Sequence, residues 1–528
     1  MSLFNNNALV SDSQPEARTF PAINPATGES FATYTESTLE EVNLMIQKAE
    51  KAFNSYRLKS AEARATFLER IGEEIVALGD ALINLCSQET GLPAQRLVGE
   101  RGRTVGQLRL FAELIREGSW VNARIDQAQP DRKPLPRSDI RQMLLPLGPV
   151  GVFGASNFPF AFSVAGGDTA SALAAGCTVV AKAHPAHPGT SEMVGNAIIK
   201  AAQATGMPEG VFSFFQGTSV EVGMAMVQHP FIKAIGFTGS YRGGTAIFTA
   251  AANRPEPIPV YAEMGSTNPV FVLPGALQER ATTIAQGLAA SATLGVGQFC
   301  TNPGLILGVK SPATESFIEQ TGNHFKEVKA GTMLTPAIKK AYEMGLERLQ
   351  SIDGVSIVAQ GSAPEGACSG TAYFLQAPPH TILDHPELCE EVFGPSSLAV
   401  MAKDKAELLQ IADNLHGHLT ATIHATPADL KEYSDLVRIL ERKVGRILFN
   451  GFPTGVEVSP AMFHGGPFPA TTDSRSTSVG TGAIYRFARP VCYQDFPLQA
   501  LPTALQNSNP LNIWRLVDNQ FTKDELAT

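Results

Sequence analysis

The chain has 528 residues, of which 44% are hydrophobic and 17% charged, and its 41 Lys and Arg residues against 50 Asp and Glu give a formal net charge of −9. A chain of this length is too long to fold around one hydrophobic core, so two or three structural units are expected. The composition excludes a disordered or fibrous protein. The acidic balance, without a basic run interleaved with aromatics, argues against nucleic acid as a partner.

The sequence does not predict a segment that would direct the protein to a membrane or out of the cell. Residues 1–20 lack the basic and apolar regions of a signal peptide and are expected to be a flexible start. The most apolar stretch, 145–181, contains Pro149, Asp168 and many glycines, which are costly in a membrane-spanning helix. The six cysteines show no CxxC pair and no zinc spacing. A cytoplasmic protein with no membrane partner and no metal is therefore expected.

The predicted elements begin with helices. Thr38 and Glu41 form a capping box before the amphipathic segment TLEEVNLMIQKAEKAF. Further helical patterns are expected near 61–86 and 97–117. The Pro- and charge-rich stretch 128–139 then indicates a domain boundary or a protruding arm.

Beyond this stretch, short β-branched runs alternate with helical patterns near 164–175 and 189–205. This alternation predicts parallel strand–helix–strand units, whose strand ends form a ligand crevice. A second α/β pattern extends from about Asn268 to about 460. The tail, from about 477, is expected to add strands to another subunit and to end in some twenty irregular residues.

A candidate phosphate loop, FTGSYRGG at 237–244, follows the run IKAIG. Its Gly239 and Gly244 allow backbone amides and a helix start to approach a pyrophosphate closely. A GxGxxG after a strand, a Walker A sequence, GxSxG and HExxH are all absent. An ordinary turn between a strand and a helix is the alternative interpretation.

Three residues further suggest acyl-transfer chemistry. Cys300 lies in the Gly-rich segment GQFCT, where helix-end amides could favour a thiolate, although an inert buried thiol is the alternative. Glu263, among apolar neighbours in YAEMG, is a candidate general base or else an ion-paired carboxylate. Asn157, after the run GVFG, either donates to an oxyanion or only shapes its turn.

Taken in order from about residue 20 to 490, these segments resemble the aldehyde dehydrogenase superfamily. The resemblance is carried by FPAINPATGE, Asn157 in SNFP, Lys182 after VVA, the FTGS turn, Glu263 in AEMG, Cys300 in GQFC, and EEVFGP at 390–395. It implies an α/β fold with a Rossmann-like nucleotide-binding domain (1–122 and 144–262), an α/β catalytic domain (263–476), and a small β oligomerisation arm with the C-terminal tail (123–143 and 477–528). A homodimer or homotetramer is expected.

The resemblance also implies a reaction, the oxidation of an aldehyde to a carboxylic acid. A Cys300 thiolate attacks the aldehyde, the Asn157 amide and the Cys300 N–H stabilise the oxyanion, hydride leaves for a nicotinamide, and Glu263 activates the water that hydrolyses the thioester. By the same resemblance, Lys182 holds the adenosine ribose. Gly239, Ser240 and Gly244 hold the pyrophosphate region, and Glu391 with Phe393 holds the nicotinamide ribose. A cysteine hydrolase and a catalytically silent binding protein are the alternatives from other classes.

Some positions depart from the family pattern. NAD-preferring members carry a glutamate three residues after the lysine, whereas this chain has Pro185 there, so no carboxylate of this motif repels a ribose 2′-phosphate. NADP is therefore expected, with NAD as the alternative, although His184 and His187 could equally be solvent-facing turn residues. Ser266 and Thr267 replace the usual glycine and lysine.

The divergent segments look most like one branch of the family, the bacterial α-ketoglutaric semialdehyde (2,5-dioxopentanoate) dehydrogenases, which form 2-oxoglutarate. These segments are KAHPAHPGTSE, RPEPIPVYAEMGSTNP, HGGPFPATTDSRSTSVGT and RPVCYQDFP. Long-chain fatty aldehyde dehydrogenases are the nearest rival. A substrate carboxylate needs a cation, for which Arg103 and Arg475 are candidates, with structural ion pairs as the alternative. An apolar pocket of Phe158, Phe160 and Phe299 suits either substrate.

Overall fold

A computed structural model describes residues 18–526. The flexible start expected for the first residues therefore lies, up to residue 17, outside the described part of the chain. Within residues 18–526 the chain forms a parallel five-stranded sheet, a seven-stranded sheet, a five-stranded tail sheet and two small two-stranded sheets. The α/β class is confirmed. Every helix in this range is too short or too polar to span a bilayer.

The parallel five-stranded sheet carries the first part of the site. In spatial order its strands are Phe212–Phe215, Val179–Lys182, Val150–Phe153, Ala234–Thr238 and Val260–Glu263. Alternate residues face two different cores, since Val179 and Ala181 pack in one and Val180 in the other. Because all strands run the same way, Lys182, Thr238 and Glu263 end along one edge, with Thr238 paired to Glu263.

The helices between residues 39 and 252 supply both cores. The capping box at Thr38 and Glu41 is confirmed. The pattern expected near 61–86 is two helices and not one, because Gly79 at the junction takes a left-handed φ of 59°. The helices are Leu39–Tyr56, Ala61–Ala77, Gly79–Thr90, Ala94–Glu117, Gly167–Ala175, Pro188–Ala204, Val220–Gln228 and Tyr241–Ala252.

The seven-stranded sheet follows the segment that holds Cys300. Only its edge strand Ser356–Gln360 is antiparallel to its neighbour among these described strands. The spatial order is Ser356–Gln360, Tyr373–Ala377, Ser396–Ala402, Leu305–Val309, Val270–Val272, His418–His424 and Val444–Phe449.

Seven described helices accompany this sheet, and five of them begin with proline, which lacks the N–H that a first turn leaves unpaired. The helices are Pro274–Thr293, Pro312–Lys326, Pro336–Gln350, Pro379–Asp384, Lys405–Asn414, Pro427–Glu432 and Ser434–Leu440. The two-stranded sheets pair Thr19–Ile23 with Ser30–Thr35 and Gly331–Thr332 with Ser369–Gly370.

The tail sheet joins the end of the chain to the stretch before residue 147. Its order is Ala488–Gln494, Ile140–Pro146, Arg124–Asp126, Arg515–Val517 and Gln520–Thr522. The prediction that the last twenty or so residues are irregular is wrong for 515–522, because Asp518 and Asn519 take left-handed φ values of 46° and 67° and close a two-residue hairpin. The tail strands pair here within their own chain. The domain boundaries, and the addition of tail strands to another subunit, stay predictions.

Candidate active site

One cavity of about 650 Å³ brings together residues that are far apart in sequence. The predicted site residues in its wall are Asn157, Phe158, Gly239, Ser240, Glu263, Cys300, Glu391 and Phe393. The remaining predicted ones, all within residues 18–526, lie outside this wall: Arg103, Phe160, Lys182, Gly244, Phe299 and Arg475. Phe160 is fully buried in the core of the first half. The cavity therefore unites the candidate nucleophile, base and oxyanion donor with part of the candidate coenzyme site.

Cys300 is held by a loop with unusual backbone geometry. Val296 and Gly297 take left-handed φ values of 59° and 64°, and for the β-branched Val296 this conformation is strained. A Cβ at Gly297 would collide with the backbone of Gly394, so glycine is required where the two segments touch. Asn268 Nδ2 donates to the Cys300 carbonyl at 2.9 Å. The loop leaves the thiol half-buried in the cavity wall.

Glu263 ends the last strand of the parallel sheet, and a later segment crosses it there. The Gly239 N–H donates to the Glu263 carbonyl at 3.0 Å, and the Met264 N–H donates to the Ala470 carbonyl at 2.8 Å. Glu263 also forms a bridge with Thr471. The residue is only 5% exposed. Its carboxylate therefore lies in a closed environment that the crossing segment helps to build.

His464, on the same crossing segment, lies between Glu263 and Cys300. Its Nε2 is 3.4 Å from Cys300 Sγ, and its Nδ1 is 3.4 Å from Glu263 Oε2, a contact without hydrogen-bond geometry. The His464 N–H donates to Thr477 Oγ1 at 2.8 Å, which fixes the backbone. Burial would lower the pKa of His464, but the Cys300 thiolate and the Glu263 carboxylate outweigh burial and raise it to about 10. The role of this residue could not be predicted from the sequence, because a single histidine forms no motif of fixed spacing with Cys300 or Glu263.

Asn157 is positioned by two neighbours. Its Nδ2 donates to the Gln298 carbonyl at 3.0 Å, and because an amide nitrogen carries two N–H groups, this bond uses only one of them. Arg96 Nη2 donates to the Asn157 carbonyl at 2.7 Å, and the Arg96 guanidinium lies over the Phe158 and Phe299 rings. Arg96 was also missed from the sequence. Phe299 therefore supports Arg96 from behind the cavity wall.

The candidate pyrophosphate loop starts a helix. Ser240 caps the helix Tyr241–Ala252 by accepting from the Gly243 N–H at 3.2 Å. A helix start of this kind presents backbone N–H groups to an anion. Gly244 is required for a different reason, since a Cβ there would lie 2.6 Å from the Met264 sulfur. The structure thus gives Gly244 a packing role.

Glu391, the candidate partner of the nicotinamide ribose, is half-buried beside Gly265. Burial raises the pKa of the Glu391 carboxyl to about 8, against the opposing effect of a hydrogen bond from the Ser266 backbone. A Cβ at Gly265 would collide with the Glu391 carboxylate. A carboxyl kept partly protonated can both donate to and accept from ribose hydroxyls.

Lys182 lies at the end of its strand, near a carboxylate that the sequence did not associate with it. Burial lowers the pKa of Lys182 to about 8, and the charge of Glu36 opposes this. The Glu36 carboxylate accepts from the Thr218 N–H at 2.6 Å and the Ser219 N–H at 2.9 Å. His187 is fully buried, with Nε2 3.1 Å from the Ala155 carbonyl, so its solvent-facing interpretation is wrong.

The two candidate substrate cations have opposite environments. The Arg475 side chain is 89% exposed and pairs with Asp473, so the structure does not bring it to the cavity. Arg103 Nη1 donates to the Val456 carbonyl at 3.0 Å, while its Nε and Nη2 are buried without a partner among the described residues. The Arg103 guanidinium lies over the ring of Phe162, a cavity residue, and interacts electrostatically with Cys300. Arg103 is thus the candidate that retains unpaired donors.

Comparison with known sequences gives long matches. The Aldehyde dehydrogenase family profile matches residues 11–467. The chain is 52% identical over 506 residues to alpha-ketoglutaric semialdehyde dehydrogenase 2 of Azospirillum brasilense, covering 96% of both chains. It is 51% identical to alpha-ketoglutaric semialdehyde dehydrogenase of Acinetobacter baylyi, covering 93% of both.

Comparison with solved structures gives the same fold. A putative aldehyde dehydrogenase from Burkholderia cenocepacia superposes with a TM-score of 0.76 at 23% identity, covering 90% of this chain and 96% of that one. A 1-pyrroline-5-carboxylate dehydrogenase superposes with a TM-score of 0.76 at 21% identity, covering 90% of both chains. At these identities the likeness shows the fold alone.

Proposed function

Because the chain belongs to the aldehyde dehydrogenase family, we propose that its substrate is 2,5-dioxopentanoate, α-ketoglutaric semialdehyde, which it oxidises to 2-oxoglutarate. The family's reaction is the oxidation of an aldehyde to a carboxylic acid with NAD(P)+. The observation that carries the substrate is the identity of 51% and 52% to two enzymes named for it, over almost the whole of each chain.

The cavity geometry supports the following roles. The Cys300 thiolate attacks the aldehyde carbon, and the Asn157 amide donates its remaining N–H to the developing oxyanion. Bound nicotinamide supplies the hydride acceptor. Glu263, enclosed at the edge of the parallel sheet, takes a proton from the water that cleaves the Cys300 thioester.

The coenzyme-binding residues fit a dinucleotide. The helix start at Ser240 offers N–H groups to the pyrophosphate, Glu391 and Phe393 line the cavity for the nicotinamide ribose, and Lys182 lies at the neighbouring strand end. Gly239 allows close approach of the backbone. Gly244 contributes by letting the helix pack against Met264.

Arg103 is proposed to bind the substrate carboxylate. Its buried Nε and Nη2 lack partners among the described residues, and a bidentate carboxylate satisfies such a pair. Arg446, another cation near Cys300, already donates to the Pro453 and Gly455 carbonyls. Arg446 thus bonds through both of its Nη atoms, whereas Arg103 bonds through Nη1 alone and keeps two buried nitrogens without a partner among the described residues.

We expect Arg103→Met to lower kcat/KM for 2,5-dioxopentanoate by about 100-fold, because a charge-assisted hydrogen-bonded pair is lost. The value for pentanal, which has no carboxylate, should change much less. Reduced-coenzyme absorbance with both aldehydes measures this selectivity. The matched control is Arg475→Met, which should leave both values unchanged because that side chain is exposed.

The same assay tests the substrate itself. Wild-type kcat/KM should be higher for 2,5-dioxopentanoate than for pentanal and for a long-chain aldehyde such as dodecanal. A preference for dodecanal would instead favour the fatty aldehyde alternative. Equal losses on both substrates in Arg103→Met would exclude carboxylate recognition by Arg103.

NADP is proposed as the preferred coenzyme, with NAD as the alternative. The support is the segment after Lys182, which carries His184 and Pro185 in place of a carboxylate. Glu36, however, lies near Lys182 and keeps its charge: burial would raise its pKa, but hydrogen bonds from Ser219 and Thr218 lower it. Glu36 should therefore weaken the preference for a 2′-phosphate.

Replacing Glu36 with glutamine is expected to raise the NADP-to-NAD ratio of kcat/KM by about 5-fold, since removing one like charge near a surface is worth roughly 1 kcal/mol. Glutamine retains an acceptor for the Thr218 and Ser219 N–H groups. Steady-state kinetics with each coenzyme gives the ratio. The control is Glu221→Gln, which also removes a partner of Arg18 but is exposed, and an equal shift there would contradict a local role for Glu36.

A cytoplasmic homodimer or homotetramer is proposed as the working form. All six cysteines are unpaired, which suits a reducing compartment. Exposed apolar side chains occur in the tail, including Leu511, Trp514 and Phe521. Phe521 lies on the edge strand of the tail sheet, and exposed apolar side chains of this kind are typical of a surface that another subunit covers.

A further inference from the structure

We propose that His464 is a catalytic residue that accepts the proton of the Cys300 thiol and holds it beside Glu263 while the thiolate reacts. The proposal rests on the role given to Cys300 above and adds a third member to the nucleophile and base. His464 is the first residue of the divergent segment HGGPFPATTDSRSTSVGT, but no role was predicted for it. The geometry that carries it is a buried chain of contacts from sulfur to imidazole to carboxylate.

The imidazole has one contact for each nitrogen. Nε2 is 3.4 Å from Cys300 Sγ, which is hydrogen-bonding range for sulfur, and Nδ1 is 3.4 Å from Glu263 Oε2. The His464 and Glu263 side chains are 5% and 6% exposed, so water contributes little to either contact. Neither Nδ1 nor Oε2 has a hydrogen-bonded partner among the described residues. The ring therefore has no competing acceptor that would explain its orientation.

The backbone around His464 holds the ring in this position. The His464 N–H donates to Thr477 Oγ1, and the Ser478 N–H donates to the His464 carbonyl at 2.9 Å. The ring also packs near Phe162, with centroids 6.4 Å apart. Because the backbone is hydrogen-bonded and the ring lies beside Phe162, little reorganisation is needed when the thiol ionises.

The proton balance of the step is simple. The Cys300 S–H bond breaks, its proton forms a new bond to His464 Nε2, and the electron pair stays on sulfur as the thiolate. The ring keeps its other proton on Nδ1 and becomes an imidazolium, 3.4 Å from Glu263 Oε2. The thiolate then forms the bond to the aldehyde carbon, whose oxygen takes the negative charge. An imidazolium between two anions is electrostatically favoured in a closed site.

Other charged groups in range do not replace this role. Arg103 and Arg446 both interact electrostatically with Cys300, but a guanidinium cannot accept a proton. Glu457 and Glu100 act electrostatically on Arg103, and Glu100 accepts from the Phe160 and Ala161 N–H groups. The raised pKa of His464 agrees with a protonated ring at neutral pH. His464 is thus the proton acceptor in contact with the sulfur.

The test follows alkylation of Cys300 by iodoacetamide as a function of pH, without aldehyde or coenzyme, using the full-length protein. Peptide mass spectrometry assigns the modified cysteine. The wild-type rate should change little between about pH 6 and 8, whereas in His464→Gln it should rise steeply with pH and be about 10-fold lower at pH 7, as for an isolated thiol. His464→Asn, which is also unable to take the proton, should behave in the same way.

The controls separate proton transfer from folding. His229→Gln replaces a partly buried histidine that contacts Asn43 and should keep the wild-type profile. Thermal melting and coenzyme binding verify that each variant is folded. A rate lowered by the same factor at every pH indicates a merely structural role and overturns the proposal, as does an unchanged profile in both His464 variants. Because the readout needs no turnover, its result does not depend on the substrate assignment.

Discussion

Substituting alanine for Cys300 is expected to lower dehydrogenase turnover by at least about 1,000-fold, because the thiohemiacetal and thioester can no longer form. Coenzyme binding should remain, since Ser240, Glu391 and Lys182 are untouched. Reduced-coenzyme absorbance measures turnover, and a fluorescence titration measures binding. Retention of more than a small fraction of turnover would exclude Cys300 as the nucleophile.

The other cysteines provide the comparison for this variant. Burial raises the pKa of Cys177 to about 11 and that of Cys389 to about 12, so both thiols stay protonated at neutral pH. Cys492 is exposed on the tail strand and does not line the cavity. Cys492→Ala is therefore a suitable control, with full activity as the expected result.

Glu263→Gln is expected to slow steady-state turnover by about 100-fold to 10,000-fold, because the water that hydrolyses the thioester loses its general base. Hydride transfer should be affected less. A rapid-mixing experiment should therefore show a burst of reduced coenzyme, close to one per active site, followed by slow turnover. The carboxylate and the amide have similar size, so the loss reports proton transfer and not a cavity.

The matched control for this variant is Glu256→Gln, an exposed glutamate before the same strand that pairs with Lys233. Its burst and steady-state rate should equal those of the wild type. If Glu263→Gln loses the burst as well, the carboxylate acts before hydride transfer. If both phases are unchanged, Glu263 is not the base.

Local sequence signals predicted the α/β class and the cavity residues Asn157, Glu263 and Cys300. They did so because each residue stands in a short motif next to a strand, where chemistry and backbone geometry are both readable. Distances between these motifs were not readable, because they depend on how two sheets and a crossing segment pack. The sequence also did not distinguish Arg103 from Arg475 as the candidate substrate cation, because the difference between them is their burial in the folded protein.

Side chains without a motif were missed for a related reason. His464 and Arg96 act through contacts with residues more than sixty positions away in the sequence, and no periodicity marks them. The break at Gly79 and the hairpin at Asp518 and Asn519 were missed because one or two residues with a left-handed backbone interrupt a segment whose hydrophobic pattern does not mark them. Glu36 was missed because it approaches Lys182 from a separate segment.

The position of the three contacting side chains has a consequence for the newly made chain. Glu263 ends the parallel sheet, Cys300 precedes a strand of the seven-stranded sheet, and His464 arrives on the segment that crosses between them. During synthesis, the thiol emerges from the ribosome long before its imidazole partner. Under the proposed role of His464, an incomplete chain is a poor nucleophile toward cellular aldehydes, and full reactivity begins only when the last third of the protein has folded onto the rest.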